Sequence, residues 1–171
     1  MANPAFMSIQ GVTQGNITAG AGTEESVGNM AINDHKDESR VIKLDHHVFI
    51  PKDPHSGMAT GQRVHESINL TKLVDKASPL LYNALATNEV LEEVVLSYYR
   101  QSATGMLELF MTETLKQAQI SGIRHMLPDV LNKDMEHYGQ IEEVSISYAT
   151  IVLEHVTGGT VYEDKFREVG V

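Results

Sequence analysis

The chain of 171 residues carries a formal charge of −10, a hydrophobic fraction of 42% and no cysteine. Its length predicts one domain over residues 1–171, and its apolar content suffices for one sizeable core. Disulfides and thiolate metal cages are excluded, and the acidic charge without any basic run argues against nucleic acid or membrane as a partner. The N-terminus lacks the features of a secretory signal, and no apolar stretch approaches the ~18 residues of a spanning helix.

Strand-like patterns alternate with breaks in the first half of the chain. Residues 5–9 (AFMSI) predict a first strand, and residues 11–29, with five glycines, predict a long irregular loop. Residues 41–50 (VIKLDHHVFI) alternate with period two, which places His46 among the aliphatic side chains of one face. Residues 51–61 contain two prolines and two glycines and predict a second loop.

The second half of the chain contains one clear helix signal and two ambiguous segments. Ser78 stands at a predicted N-cap and Pro79 at the first helical position, so a helix is expected to begin there. Residues 89–100 and 106–119 fit both strand alternation and helical spacing, and periodicity does not decide between them. Residues 143–148 (EVSISY) alternate and predict a strand. Further breaks are predicted at residues 102–105, around Pro128 and at residues 157–159.

Five of the eight histidines fall close together in the first half of the chain, which raises the question of a metal site. Zinc or iron needs two to four converging donors. Adjacent side chains of a strand point to opposite faces, so His46 and His47 do not share an ion there. Asn69 stands where a helical His-Glu-x-x-His motif needs its second histidine. We therefore favour a core-facing His46 with partners on its ring nitrogens, and solvated positions for His47 and His55.

Other polar groups give no stronger indication of chemistry. Residues 33–39 (NDHKDES) predict a charged loop around His35, and aspartate-rich loops of this kind are commonly turns. The sequence contains no Gly-x-Ser-x-Gly elbow, Walker loop or Gly-x-Gly-x-x-Gly run. The glutamate pairs at residues 92–93 and 142–143 split across two faces if they lie on strands. No cofactor and no catalytic residue is therefore expected, and a histidine-dependent metalloenzyme on a small β-barrel is kept as the alternative.

Four stretches, in order, carry a pattern that covers nearly the whole chain. They are residues 8–29, residues 46–65 (HHVFIPKDPHSGMATGQRVH), residues 78–100 and residues 140–155 (QIEEVSISYATIVLEH). The second stretch shows a histidine, four residues, a proline, x-Asp, spaced glycines and then Arg-x-His. With these motifs the chain resembles the haemolysin-coregulated protein (Hcp) family, the tube subunit of the bacterial type VI secretion apparatus.

The resemblance implies a mainly β fold. It is a β-barrel of two packed antiparallel sheets, with one α-helix at about residues 78–87 on its side and a long extended loop. Residues 89–100 and 106–119 are then strands. The family implies a homohexameric ring that stacks into a hollow tube, with a trimeric spike protein, a contractile sheath and small effector proteins in the lumen as partners. The subunit is expected in the bacterial cytoplasm and, after secretion through its own apparatus, outside the cell.

The resemblance also assigns a ring or stacking interface to the extended loop. His46 is implied to be a structural strand histidine that leads into this loop, which reaches a neighbouring subunit or the next ring. Gly57 and Gly61 permit sharp reversals, and Arg63 offers forked hydrogen bonds across an interface. The interface residues expected in the loop are Pro51, Lys52, Asp53, Pro54, His55, Gly57, Gly61 and Arg63.

Some positions depart from the family pattern. Tyr98, Leu153 and Phe166 stand where the family commonly has tryptophan, and each keeps apolar bulk, so the fold is expected to persist. The chain ends where the family core ends, and we therefore expect no fused toxin domain.

Overall fold

Antiparallel strands make up most of the computed structural model, which describes residues 3–135 and 139–167. The strands are β1 (Ala5–Gly11), β2 (Gly15–Asn16), β3 (Ser39–Asp45), β4 (Val48–Phe49), β5 (Val64–His65), β6 (Ile68–Leu73), β7 (Leu91–Gln101), β8 (Leu107–Met126), β9 (Ile141–Ser147), β10 (Thr150–His155) and β11 (Thr160–Lys165). The helices are α1 (Glu24–Val27) and α2 (Ser78–Ala86). Within the described part of the chain, neither helix is long and apolar enough to cross a bilayer.

Strand pairing closes on itself through β8, which has 20 residues. The first part of β8 pairs with β7 and β10, and its second part pairs with β9. From β7 the ladder continues through β1, β3 and β6 and returns to β9. Gln117, with a φ of 49°, and a register shift between Ile120 and Gly122 interrupt the regular ladder of β8 close to this change of partner. Such irregularities are typical of places where a strand bends, and here β8 changes from β7 and β10 to β9 as its partner.

Alternating aliphatic side chains fill the interior of this circuit. On β9, for example, Val144 and Ile146 are fully buried, whereas Glu143 before them and Ser145 between them are partly exposed. The helix α2 adds Leu81 and Ala84 to the same core. Full burial of one aliphatic side chain of this size contributes about 1.5–3 kcal/mol. The other principal core residues are Met7, Ile9, Ile68, Leu70, Val94, Leu96, Leu115 and Ile151.

The mainly β prediction is confirmed, with packed antiparallel strands and a short helix beside them. The two ambiguous segments, residues 89–100 and 106–119, form β7 and the first part of β8. The strands predicted at residues 5–9 and 143–148 correspond to β1 and β9. The helix predicted at residues 78–87 is α2.

The single strand predicted over residues 41–50 is wrong in its second half. β3 ends at Asp45 and the short β4 begins at Val48, so His46 lies between two strands and is not a strand residue. The reason is a change of partner along this segment. β3 pairs with β6 as far as the Asp45–Asn69 position, whereas β4 pairs with β5 in a separate two-stranded sheet.

The helix cap predicted at Ser78 is also displaced. Ala77 is the N-cap residue of α2, Ser78 is its first helical residue, and Pro79 is its second. Asp75 Oδ1 accepts the N–H of Ala77 at 2.9 Å, and Ser78 Oγ accepts the N–H of Asp75 at 3.1 Å while donating to Glu142 at 2.8 Å. The side chains of Asp75 and Ser78 therefore both accept backbone N–H groups just before the helix.

Two predictions for the N-terminal region are corrected as well. The loop predicted at residues 11–29 contains the short elements β2 and α1. A charged loop was predicted around His35, but the side chain of His35 is buried, because its ring stacks on Phe6 with ring centroids 3.6 Å apart. Its Nδ1 bonds to the carboxylate of Glu38.

Candidate functional site

Residues 48–65, which we call the arm, leave the closed sheet as a hairpin. β4 and β5 pair Val48 with His65 and Phe49 with Val64, and an isolated bridge joins Lys52 to Ala59 further out. The nine-stranded sheet and the two-stranded sheet of the arm share no ladder in the described part of the chain. The orientation of the arm therefore depends on side-chain contacts at its base.

The tip of the arm is shaped by one aspartate. Asp53 Oδ1 accepts the N–H groups of His55 and Ser56 at 2.7 and 2.9 Å. The backbone of Asp53 donates to the carbonyl of Met58 and accepts from Gly57, both at 2.9 Å. The N–H of Ser56, followed by that of His55, lowers the pKa of the Asp53 carboxyl below its usual range. The tip is therefore an ordered turn stabilised by its own backbone.

The glycines of the arm adopt the turn conformations that the sequence predicts, and Pro51 takes part in the hydrogen bonding of the hairpin. Gly57 and Gly61 have φ values of 68° and 84°, in the left-handed region where a side chain is disfavoured. The carbonyl of Pro51 accepts the N–H of Thr60 at 2.7 Å. Proline also reduces the freedom of the unfolded arm, so less entropy is lost when the arm is ordered.

The arm exposes apolar side chains along its length. The exposed fraction is 43% for Val48, 45% for Ile50, 71% for Met58 and 39% for Val64. None of residues 48–65 belongs to the hydrophobic core. An ordered hairpin with uncovered apolar side chains is typical of a surface that contacts another molecule.

The first half of the arm base is built on Asp164 of β11. Arg63 donates from Nε and Nη2 to the two carboxylate oxygens, His65 Nε2 lies 2.9 Å from Oδ2, and Tyr162 donates to Oδ2 at 3.0 Å. The hydrogen bond from Arg63 first, against the opposing effect of burial, holds the pKa of Asp164 well below its usual range. The fork of Arg63 is thus formed with Asp164 of the same chain.

The second half of the arm base is built on Tyr148 and Glu113. The phenol oxygen of Tyr148 lies 2.5 Å from His46 Nε2 and 3.1 Å from His65 Nδ1. His46 Nδ1 lies 2.9 Å from Glu113 Oε1, an ion-pair distance, although Oε1 has no partner in hydrogen-bond geometry. Tyr98 donates to Glu113 Oε2 at 2.9 Å. Burial first, and then the charge of Glu113, raise the pKa of Tyr148, so its phenol stays protonated.

Aromatic packing closes the arm base. Phe166 stacks on the ring of His65 with centroids 3.9 Å apart and an interplanar angle of 5°. Tyr148 meets both rings edge to face, at 5.8 and 5.3 Å. The side chain of His65 is 2% exposed, so this packing shields its polar contacts from water.

The structure divides the predicted site residues into three places. His46 and Arg63 lie at the arm base, and residues 51–61 form the outer arm, whereas Ser78 and Pro79 lie at the start of α2. Sequence reasoning missed the acceptors at the base, namely Glu113, Tyr148 and Asp164. An available signal was the position of Glu113 two residues before the inward-facing Leu115, which places a carboxylate on the buried face of β8.

The arrangement at the arm base is an anchor. All four ring nitrogens of His46 and His65 face oxygen atoms of the chain itself. His47 Nδ1 lies 3.2 Å from Glu66 on the surface and its ring stacks on Phe49, and His55 is exposed. Within residues 3–135 and 139–167, no group of three or more His, Asp or Glu residues could hold a metal ion.

Comparison with known proteins identifies the family. The family described as "Type VI secretion system effector, Hcp" matches residues 6–155. This chain belongs to the Hcp family. It is 44% identical over 167 residues to the "Major exported protein" of Pseudomonas aeruginosa, an alignment that covers 98% of this chain and 97% of that relative. It is also 31% identical over 160 residues to YhhZ of Escherichia coli K12, covering 94% of this chain and 37% of YhhZ.

Solved Hcp structures share the fold. A structure described as "Crystal structure of Hcp protein" matches with a TM-score of 0.94 and 39% identity, over 98% of this chain and 100% of that one. The secreted protein Hcp3 from Pseudomonas aeruginosa matches with a TM-score of 0.83, 39% identity and the same coverage. The resemblance seen in the sequence is therefore confirmed: the chain is an Hcp protein, a member of a family of type VI secretion tube proteins.

Proposed function

We propose that six copies of this Hcp chain close into a ring and that the rings stack into the hollow tube of a type VI secretion apparatus. The arm is the observation that carries the proposal. It is an ordered hairpin with exposed apolar side chains that lie outside the hydrophobic core, and its base is fixed by buried charged and aromatic contacts. A rigid, uncovered segment of this kind fits the surface of another copy.

The free edge of the sheet supports ring closure. β11 pairs with β10 along six positions, and its other edge has no partner in the part of the chain that the structure describes. An open edge invites pairing with another chain, and a closed ring of identical subunits removes every such edge. We assign the contact within a ring to the β11 edge and the contact between rings to the arm.

The arm contact comprises the predicted loop residues, with Arg63 in a different role. Pro51 to Gly61, including Lys52, Asp53, Pro54, His55 and Gly57, form the part that meets the neighbouring ring, while Arg63 holds the base. The lumen shelters small effector proteins, the spike protein caps the tube and the contractile sheath surrounds it. The chain performs no reaction, uses no cofactor, acts as one domain, and leaves the bacterial cytoplasm through its own apparatus.

The role of the arm is tested by replacing residues 53–61 with a Gly-Ser linker of the same length. Rings are expected to form and to remain single, since the subunit core and β11 are untouched. Negative-stain electron microscopy distinguishes single rings from stacks. The matched control replaces the exposed turn at residues 102–105 with Gly-Ser, and it should stack like the wild type. Stacking that is unchanged by the arm replacement would refute the proposal.

The role of β11 is tested by Val161→Lys. Val161 is 65% exposed on the free-edge strand, and a charge there opposes edge pairing. Light scattering should give six times the chain mass of 18.9 kDa for the wild type and a lower mass for the variant. Val12→Lys is the control, because Val12 is 66% exposed in a loop away from β11. A wild type that stays monomeric at high concentration would overturn ring closure itself.

A further inference from the structure

Residues 127–135, which follow β8 and which we call the receiving loop, form a second segment with exposed apolar side chains. The exposed fraction is 66% for Leu127, 74% for Val130 and 89% for Leu131. Among the described residues, no other large apolar side chain is as exposed as Leu131. Clustered apolar side chains on a surface indicate that another molecule covers them.

The receiving loop is ordered by its own hydrogen bonds, as the tip of the arm is. Asp129 Oδ1 accepts the N–H of Leu131 at 3.0 Å, and the backbone carbonyl of Asp129 accepts the N–H of Asn132 at 3.1 Å. A short 3-10 turn over Lys133–Met135 follows. A surface that is ordered before contact loses less conformational freedom on binding than a mobile one.

An open cleft of about 750 Å³ lies beside the receiving loop. Binding pockets typically enclose roughly 300–1,000 Å³, so this cleft has room for several aliphatic side chains. The arm supplies exposed side chains of that kind, among them Ile50 and Met58. The apolar side chains that line the cleft are Met126, Leu127, Pro128, Met135 and Ile141.

The arm and the receiving loop lie at opposite ends of the same two strands. Ile68 of β6 pairs with Ile146 of β9 next to the arm base, whereas Leu73 pairs with Ile141 at the far end. Met126, the last residue of β8, also pairs with Ile141, so the receiving loop begins at this far end. The five-residue step along β6 spans about 17 Å, at ~3.3 Å for each residue. Two unlike apolar surfaces thus stand at the two ends of these strands.

We infer that the receiving loop of one copy takes the arm of the next copy, with Ile50 and Met58 covering Leu131 and entering the cleft. The contact joins two different surfaces, so it is head to tail and extends from copy to copy. An arm-to-arm contact would join copies in pairs and leave the receiving loop exposed. The inference rests on the proposed function, in which the arm meets another copy, and it names the surface that the arm meets.

The charged side chains agree with this pairing. The outer arm carries an exposed lysine, Lys52, and its aspartate, Asp53, accepts N–H groups of its own turn. The receiving loop carries two exposed aspartates, Asp129 and Asp134, against one lysine, Lys133. Lys52 therefore meets an excess of negative charge on the receiving loop, and charge complementarity of this kind sets the register of a contact.

Paired cysteines test the contact directly, because the chain contains no cysteine of its own. Met58→Cys and Leu131→Cys are combined in one chain, the assembled protein is oxidised with copper phenanthroline, and the products are separated by denaturing electrophoresis without reductant. A ladder of covalent multimers is expected, since each copy joins the next through one disulfide. Met58→Cys combined with Met106→Cys is the control and should stay mostly monomeric, because Met106 is as exposed as Met58 but lies outside the receiving loop.

The ladder separates this inference from the proposed function. Products larger than six chains support both, since the contact then runs from ring to ring. A ladder that ends at six chains supports the receiving loop but places the arm contact within a ring, against the proposed function. Stacks seen by electron microscopy without any ladder overturn the inference alone, and a sample with neither refutes both. Dimers formed by Met58→Cys alone would show an arm-to-arm contact and also overturn it.

Leu131→Ser tests the same contact without a cross-link. Stacking should fall to the level of the protein whose residues 53–61 are replaced, whereas denaturant unfolding should be unchanged because Leu131 is exposed. Met106→Ser is the matched control and should stack like the wild type. Full stacking of Leu131→Ser, measured as the fraction of stacked rings by electron microscopy, would overturn the inference.

Discussion

Two of the buried polar networks among the described residues fix different parts of the chain. In the first, Lys72 Nζ lies 2.9 Å from Asp75 and 2.8 Å from Glu142, and Ser78 donates to the same glutamate. This network joins β6, β9 and the start of α2, all of which contribute side chains to the core. The second network, at the arm base, is just as well connected, yet the arm that it fixes contributes nothing to the core.

The difference shows that buried polar contacts in this chain also fix a segment outside its hydrophobic core. Buried charges carry a desolvation cost, and their retention at the α2 network is accounted for by the core elements that it joins. The arm base meets the same cost for a hairpin that lies outside the core. A comparison of variants in the two networks therefore separates subunit stability from assembly.

The largest effect is expected in the first network, from Lys72→Met. The substitution leaves Asp75 and Glu142 buried without their cation, which should lower the free energy of unfolding by about 3–5 kcal/mol. Denaturant unfolding measures the loss. Lys76→Met, at an exposed neighbouring position, is the control and should stay within about 0.5 kcal/mol of the wild type. Equal losses in the two variants would show that the buried network is unimportant.

A smaller effect is expected in the second network, from Asp164→Asn. Loss of the charged partner of Arg63 should cost about 1–3 kcal/mol and free the guanidinium. If the variant loses ~1.4 kcal/mol of the free energy that holds the arm base closed, trypsin should cut after Arg63 about tenfold faster. Glu163→Gln, on an exposed position of the same strand, should leave the cleavage rate unchanged. An unchanged rate in Asp164→Asn would mean that Asp164 does not hold the arm.

Acid should reduce the difference in unfolding free energy between the wild type and Asp164→Asn. The pKa of Asp164 is held below its ordinary value of 3.8 by Arg63 above all, with His65 and Tyr162 adding to the effect against burial. A depressed folded-state pKa stabilises the protein above the unfolded-state value and ceases to do so as the pH falls through the folded value. The difference in unfolding free energy should be constant near neutral pH and shrink below about pH 4. A difference that grows in acid contradicts this assignment.

The smallest effect on the subunit is expected at the arm surface, from Met58→Ser. Met58 is 71% exposed, so the free energy of unfolding should change by less than about 0.5 kcal/mol while ring stacking weakens. Met106, in the turn before β8, is also 71% exposed and gives the matched control Met106→Ser. Electron microscopy gives the fraction of stacked rings for both. If the two variants stack equally well, the arm surface is not a contact.

Strands with clean alternation were predictable from the sequence. Residues 143–148 place Val144 and Ile146 inside and serines outside, so period two was visible without any structure. Residues 106–119 were ambiguous because their side chains alternate less sharply, and the family resemblance resolved them. Their extension to Met126 was not foreseen, since β8 changes partner from β7 and β10 to β9 on the way.

Strands β6 and β11 and most of the arm base were not predicted, because buried charged residues interrupt the apolar pattern there. β6 turns Lys72 inward and β11 turns Asp164 inward, so a buried charge stands where the pattern of a strand would have an apolar residue. The partners at the arm base are also distant in sequence. Tyr148 lies 102 residues from His46, and no spacing rule connects them. Only the closed strand circuit brings them together.

A cryo-electron microscopy reconstruction of the assembled protein tests the central claim most directly. The account predicts six-fold rings in which each arm, residues 48–65, lies against a copy in the next ring and buries Ile50 and Met58 there. It also predicts that His46, His65 and Asp164 keep their contacts within the subunit. A tube in which the arms extend into solvent, with other segments making every contact between rings, would contradict it.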